Sequence, residues 1–275
     1  MEQNRCALVT GASRGIGRET ARALVRVGYK VIGTCRNPVK VKPEDEIDGV
    51  EYLPLELMSE KSIDALLDRL GRVDVLVNNA GSSQMGPVEE VSIEKMRQLY
   101  QLSFFGHVRL IQGIIPKMRE QKQGIIINVT SLASHLPVPF SSIYASAKSA
   151  MEVMGNGLRN ELAPLGIRVV TVAPSFIQTD IYQEKILEAG SVYASAMNNA
   201  KAIRDARIKN GSDPAVVAAK IMKIIECKNP KPFYTAGQGA MLMALLSKLL
   251  PAGLVEKNIR KQFRIENSLQ KKTVI

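Results

Sequence analysis

The sequence predicts an α/β protein, a single doubly wound domain over residues 1–275 with a mostly parallel sheet covered by helices on both faces. Three observations lead there. Short runs rich in Val, Ile and Leu recur along the chain, stretches with helical apolar spacing separate them, and the alternation repeats six times. The runs are nearly continuous rather than alternating, as strands buried on both faces require. Strand–helix alternation in turn calls for crossover connections and parallel pairing.

The first strand is CALVT (6–10), followed by a helix over 15–28 with Ile16, Ala21, Leu24 and Val25 on one side. KVIGT (30–34) and VEYLPL (50–55) come next, then a helix at 60–70 carrying Ile63, Leu66, Leu67 and Leu70. VDVLV (73–77) leads to helical spacing over 92–121, and GIIINV (124–129) to helical spacing over 143–163. IRVVTV (167–172), a helix at 213–226 and PFYTAG (232–237) complete the alternation. No internal repeat or low-complexity linker interrupts it. Two additions are expected, a substrate lid at about 180–210 and an apolar, then basic, C-terminal extension at about 238–275.

Composition narrows the function. With 275 residues, 45% hydrophobic and 23% charged, the chain has material for a large core and the balance of a soluble globular protein. The first apolar run is too short, and its flank too polar, for a secretory leader or a membrane span. Cys6, Cys35 and Cys227 are far apart and form no zinc spacing, and only His107 and His135 accompany them. Reduced thiols in the cytoplasm and no metal are the expectation. The net charge of +11 is spread along the chain without an aromatic-flanked stripe, so it reads as solvated surface rather than a nucleic-acid interface. The tail from Glu256 concentrates it, with six Lys/Arg against two Glu.

Chemistry enters at two places. In LVTGASRGIGRETA a strand runs into Gly11, Gly15 and Gly17 and then a helix. Glycines there permit a tight turn and close backbone approach, and the helix N-terminus faces a pyrophosphate. At the end of the second strand an NAD site expects a carboxylate for the ribose hydroxyls. Cys35 and Arg36 stand there instead, and Arg14 lies inside the glycine turn, so the expected cofactor is NADP. In SSIYASAKSAM, Tyr144 and Lys148 are four residues apart and share a helix face. An ammonium beside a phenol favours the phenolate and lowers a pKa that is ordinarily about 10. Alone, such a pair is more often chance than chemistry.

Its context decides. Ser131 in INVTSLAS follows a buried strand, LVNNAG (76–81) follows the fourth strand and TGASRGIG (10–17) the first. These motifs, in this order, resemble the short-chain dehydrogenase/reductase family from about residue 5 to 235, most closely its hydroxysteroid and retinol dehydrogenase group. The resemblance implies a Rossmann-type sheet of seven strands and an NADP-dependent ketone/alcohol oxidoreductase. Tyr144 would be the general acid/base, Lys148 would hold the nicotinamide ribose, and Ser131 would orient the substrate oxygen. Cofactor contacts would come from Thr10, Gly11, Ser13, Arg14, Gly15, Ile16, Gly17 and Arg36, from Glu56 and Leu57 after the third strand, and from Asn78, Asn79, Ala80 and Gly81. Pro174, Ile177 and Thr179, with Tyr144 and Lys148, would complete them. A homodimer or homotetramer joined through the helices at 92–121 and 143–163 is implied as well.

The sequence departs from the pattern in three places. Ser103 stands where the family has an asparagine that holds a relay water, Ser175 replaces the usual glycine after Pro174, and Glu56 replaces an aspartate. His107, one turn beyond Ser103, is read as a structural or exposed helical histidine. The site walls should be SHLPVPFSS (134–142), GSSQMGP (81–87) and the stretch after Thr179, with Ile181, Tyr182, Ile186, Leu187, Val192, Tyr193 and Met197. They hold no cluster of arginines, so the expected substrate is bulky and apolar, a hydroxysteroid or retinoid. Reduction of a 3-oxoacyl thioester on a carrier protein, and a catalytically silent NADP-binding regulator, stand as alternatives. The Met- and Leu-rich segment 240–263 is expected to pack over the cleft or a partner subunit, in preference to a peripheral membrane contact.

Overall fold

The computed structural model describes residues 5–265. Seven strands form one wholly parallel sheet in the order β3-β2-β1-β4-β6-β7-β9. They are β1 Cys6–Thr10, β2 Lys30–Cys35, β3 Val50–Pro54, β4 Val75–Asn78, β6 Gly124–Val129, β7 Ile167–Pro174 and β9 Phe233–Ala236. β5 Ser83–Met85 and β8 Gln183–Lys185 pair separately, also in parallel.

The continuous apolar runs have a direct cause. Successive side chains of a strand point to opposite faces, and here both faces are covered. Leu8, Leu76 and Ile126 face α2 (Glu60–Arg69), α4 (Gly106–Glu120) and α5 (Ser142–Leu162). Their neighbours Ala7 and Val9, Val75 and Val77, and Ile125 and Ile127 face α1 (Gly15–Arg26) and α7 (Pro214–Glu226). Strand order reverses between β1 and β4, and the crevice beyond the carboxyl ends of strands at such a point is where an open α/β sheet binds ligands.

The helical spacing over 92–121 does not give one helix. It divides into α3 Ile93–Tyr100, a π-helical turn Gln101–Phe105 and α4. The π turn lets Gly106 approach the Leu57 backbone, where a Cβ would collide with the Leu57 carbonyl. The expected lid stretch holds β8 and α6 (Ala194–Lys209). The C-terminal stretch forms α8 (Ala240–Leu249) and α9 (Ala252–Gln262), and the last ten residues of the basic tail lie outside the described residues. Phe263, 3% exposed, packs with Met85, Met197 and Ala200, which ties α9 to β5 and α6. Among the described residues no helix is long and apolar enough to cross a membrane.

Candidate active site

The carboxyl ends of β1, β4, β6 and β7 open into one cavity of about 1480 Å³. That exceeds the roughly 300–1,000 Å³ of an ordinary small-molecule site, and leaves room for a dinucleotide and a substrate together. The turn after β1 forms its floor. Gly11 and Gly15 take positive φ values of 68° and 56°, conformations that favour glycine. A Cβ on Gly17 would collide with the Gly11 carbonyl and crowd Asn79, so this turn closes only on glycine. Asn79 Nδ2 donates to Thr10 O at 2.9 Å, and the Asn79 and Ala80 amides both donate to Thr10 Oγ1 at 2.9 Å. The turns after β1 and β4 thus brace each other. α1 begins at Gly15 with no side-chain cap and no acidic residue in its first turn, so its amides and positive end remain available to an anion.

The expected cofactor contacts collect here. Ser13, Arg14, Ile16, Arg36, Glu56, Leu57, Asn79, Ala80, Gly81, Pro174, Ile177 and Thr179 line the cavity with Gly11 and Gly15. Thr10 and Gly17 brace the turn from behind, and Asn78 instead donates to Asn128 Oδ1 at 3.0 Å inside the sheet. Thr179 lies against Gly15. Arg14 and Arg36 are exposed and make no ion pair among the described residues. Lys40, which the sequence did not single out, joins them in the lining, whereas nearby Asp45 is held by Arg18. These features fit the phosphates of a dinucleotide.

Ser131, Tyr144 and Lys148 meet at the other end. Ser131 follows β6 and its Oγ accepts from the Ala133 amide at 3.1 Å. Tyr144 sits in the first turn of α5 and Lys148 one turn later, with Ala145 and Ala147 buried between them. Lys148, 5% exposed, donates from Nζ to Val129 O at 3.1 Å, and burial pulls its pKa down to about 8. Burial pushes the Tyr144 phenol above its ordinary value, against opposing pulls from the Ser131 hydroxyl and the Arg204 guanidinium. The expected lowering by Lys148 is therefore corrected: desolvation outweighs the charges, and the cation acting on the phenol is Arg204.

The region beyond Lys148 is polar and closed. Ser103 Oγ and both ring nitrogens of His107 are buried without hydrogen-bond partners. Burial, with the Lys148 charge behind it, drives the His107 pKa down to about 3. Of the two readings of His107, structural or exposed, its burial supports the structural one. Of the expected walls, Leu136, Pro137, Val138, Gly81, Ser82, Ile181 and Tyr182 reach the cavity, while Met197 is wholly buried core. His135 is absent from the lining, and its Nε2 lies 3.0 Å from Glu152 Oε1. The expectation of walls without arginines is also corrected, since Arg204 and Arg207 of α6 both line the cavity.

Residues 5–189 match the family model of the short chain dehydrogenases. The chain belongs to that family. It is 30% identical over 269 residues to a 3-ketodihydrosphingosine reductase of Bacteroides thetaiotaomicron, covering 94% of this dehydrogenase and 97% of that one. It is 28% identical to an NADPH-dependent 1-acyldihydroxyacetone phosphate reductase of Saccharomyces cerevisiae, covering 98% and 96%. A crystal structure of a short-chain dehydrogenase from Streptomyces avermitilis superimposes with a TM-score of 0.80 at 30% identity, over 100% of both chains. The protein is thus an oxidoreductase acting between CH–OH and C=O groups, on a fold that binds a nicotinamide cofactor.

Proposed function

We propose that this dehydrogenase reduces a ketone carried on a bulky, largely apolar molecule, using NADPH. The observation that carries the reading is the convergence of Ser131, Tyr144 and Lys148 on a cavity that continues into the glycine turn. Bound nicotinamide supplies the hydride. Ser131 donates a hydrogen bond to the substrate carbonyl oxygen, and Tyr144 gives that oxygen its phenolic proton as negative charge develops on it. A phenol is protonated at neutral pH, as a proton donor must be, and burial moves its pKa further in that direction. Lys148, buried in the cavity wall, would hold the nicotinamide ribose. Arg14, Arg36 and Lys40 support a 2′-phosphate, as does the NADPH dependence named for the yeast relative.

The wall contributed by α8 and α9, including Met243, Leu246, Leu250 and Leu254, supports an extended apolar substrate. The yeast relative is named for a ketone that carries an acyl group, which favours a lipid-like ketone over a compact steroid. Phe105 and Val153, 51% and 71% exposed beside the helices expected to join subunits, support a homodimer. Three unpaired cysteines support a reducing, cytoplasmic compartment. The test is a panel of aliphatic, steroidal, retinoid and acyl-thioester ketones, followed by the loss of reduced-cofactor absorbance. Turnover confined to acyl-carrier thioesters, or absent from the whole panel, would overturn the reading.

A further inference from the structure

We propose that Arg204 and Arg207 form a subsite for an anionic group, a phosphate ester or a carboxylate, carried by the substrate near its reacting carbonyl. The proposal deepens the ketone-reductase reading and rests on it. Arg204 is 7% exposed, yet it makes no ion pair among the described residues. Its two hydrogen bonds go to neutral oxygens, Ser83 Oγ at 2.7 Å and Gln183 Oε1 at 2.8 Å. A guanidinium has five N–H donors, so these two bonds leave donors over for a ligand.

One turn along α6, Arg207 also meets only neutral groups. It donates to Gln262 Oε1 at 2.8 Å and lies over the ring of Phe263 at 4.9 Å. Residues three apart share a helix face, and both line the cavity that holds Tyr144. Of the carboxylates near them, Glu184 pairs with Lys95 at 2.7 Å and Asp205 pairs with Lys201, while Asp180 is exposed at the cavity wall and pairs with neither arginine.

Removing a guanidinium from water is costly unless an opposite charge compensates it. Buried Arg204, with half-buried Arg207 one turn away and no carboxylate on either among the described residues, leaves that compensation to whatever enters. Arg204 and Tyr144 line the same cavity, and the guanidinium acts electrostatically on the phenol, so an anion held by Arg204 shares the cavity with the reacting oxygen. The apolar wall of Leu246, Leu250 and Leu254 then receives the rest of the molecule. The substrate class that fits is an anionic amphiphile, and an amino-ketone bearing an ammonium at the same place is disfavoured.

The experiment is calorimetric titration of the NADPH-saturated protein, so that the cofactor's own phosphate site is filled, with octyl phosphate, octanoate, 1-octanol and octylamine. The expected result is that the two anions bind about tenfold more tightly than 1-octanol, the scale of one charge-assisted contact, with octylamine weakest. Arg207→Gln should cost octyl phosphate about tenfold and leave 1-octanol unchanged. Arg204→Lys, which keeps the charge and the fold, should retain part of the preference and leave cofactor binding intact. Equal binding of octyl phosphate and 1-octanol, tightest binding of octylamine, or no effect of Arg207→Gln would overturn the subsite. A role for Arg204 confined to packing or to tuning Tyr144 would change turnover of every ketone alike without an anion preference. The titration needs no turnover, so failure of the reductase reading shows separately, as an inactive protein whose ligand isotherms are intact.

Discussion

Arg36→Ala is expected to change cofactor choice rather than cofactor binding in general. Arg36 follows β2 directly, is exposed and has no carboxylate partner among the described residues, and it lines the cavity with Arg14 and Lys40. A charge-assisted hydrogen bond to phosphate is worth about 1.5–3 kcal/mol. Exposure and salt screening reduce that here to about 1–2 kcal/mol, which corresponds to a loss of roughly 5- to 30-fold for NADPH. NADH, which lacks the 2′-phosphate, should lose less than about twofold, because the lost contact was never made to it. Dissociation constants for both cofactors, measured by titration at low and at high ionic strength, check this. The NADPH penalty should shrink as salt rises, because salt screens exposed charges first. Equal losses for NADPH and NADH, or a penalty that ignores salt, would show that Arg36 does not read the phosphate.

Tyr144→Phe keeps the ring and removes the proton, so turnover should fall by about 10²–10⁴-fold while the NADPH dissociation constant stays unchanged; retained turnover would refute the role. The reduction rate of the wild-type enzyme should be flat through neutral pH and fall only on the alkaline side, because burial raises the pKa at which Tyr144 loses its proton; a fall below pH 7 in the rate profile would contradict that. His107 has a folded pKa of about 3 against 6.5 unfolded, so its contribution to stability is complete above pH 6.5 and is lost as pH falls toward 3. Urea unfolding should show wild type losing about 2 kcal/mol more than His107→Leu between pH 7.5 and 5. In α8, Met243 and Leu246 face the cavity and Leu250 continues the row, whereas Leu242, Leu245 and Leu249 face outward. Serines at 246 and 250 should raise the KM of long-chain ketones more than that of short ones, and serines at 242, 245 and 249 should leave both unchanged while weakening any adsorption to anionic vesicles.

Most of the sheet was legible because burial on both faces writes itself into local composition. Leu8 and Val9 face different helix layers, but both layers are apolar, so the run reads as a strand without knowledge of its partners. The glycine turn was legible for a similar reason, since its backbone conformation and its close contact with Asn79 exclude a side chain at Gly17. The break in the 92–121 helix was not. The apolar spacing gives no sign of the π turn, and the Leu57 carbonyl that approaches Gly106 beside it lies on another element. β5 and β8 escaped notice because each is three residues long, and neither has a partner until the chain has folded.

The site divides along the same line. Arg14 and Arg36 stand beside motifs of fixed geometry, so their meaning could be read from position alone. Arg204 and Arg207 lie mid-helix in AKAIRDARIKN, where an arginine reads as a solvated charge. The difference arises only when β8 and β5 pair and bring Gln183 and Ser83 to the Arg204 guanidinium, closing water away from it. The His107 environment likewise follows from tertiary packing, since the burial and the Lys148 charge that depress it come from α5. In both cases what the sequence conceals is desolvation. An uncompensated guanidinium beside the proposed proton donor limits the substrate's charge more tightly than any apolar wall limits its shape, because a misplaced charge costs several kcal/mol and a misplaced methylene about one.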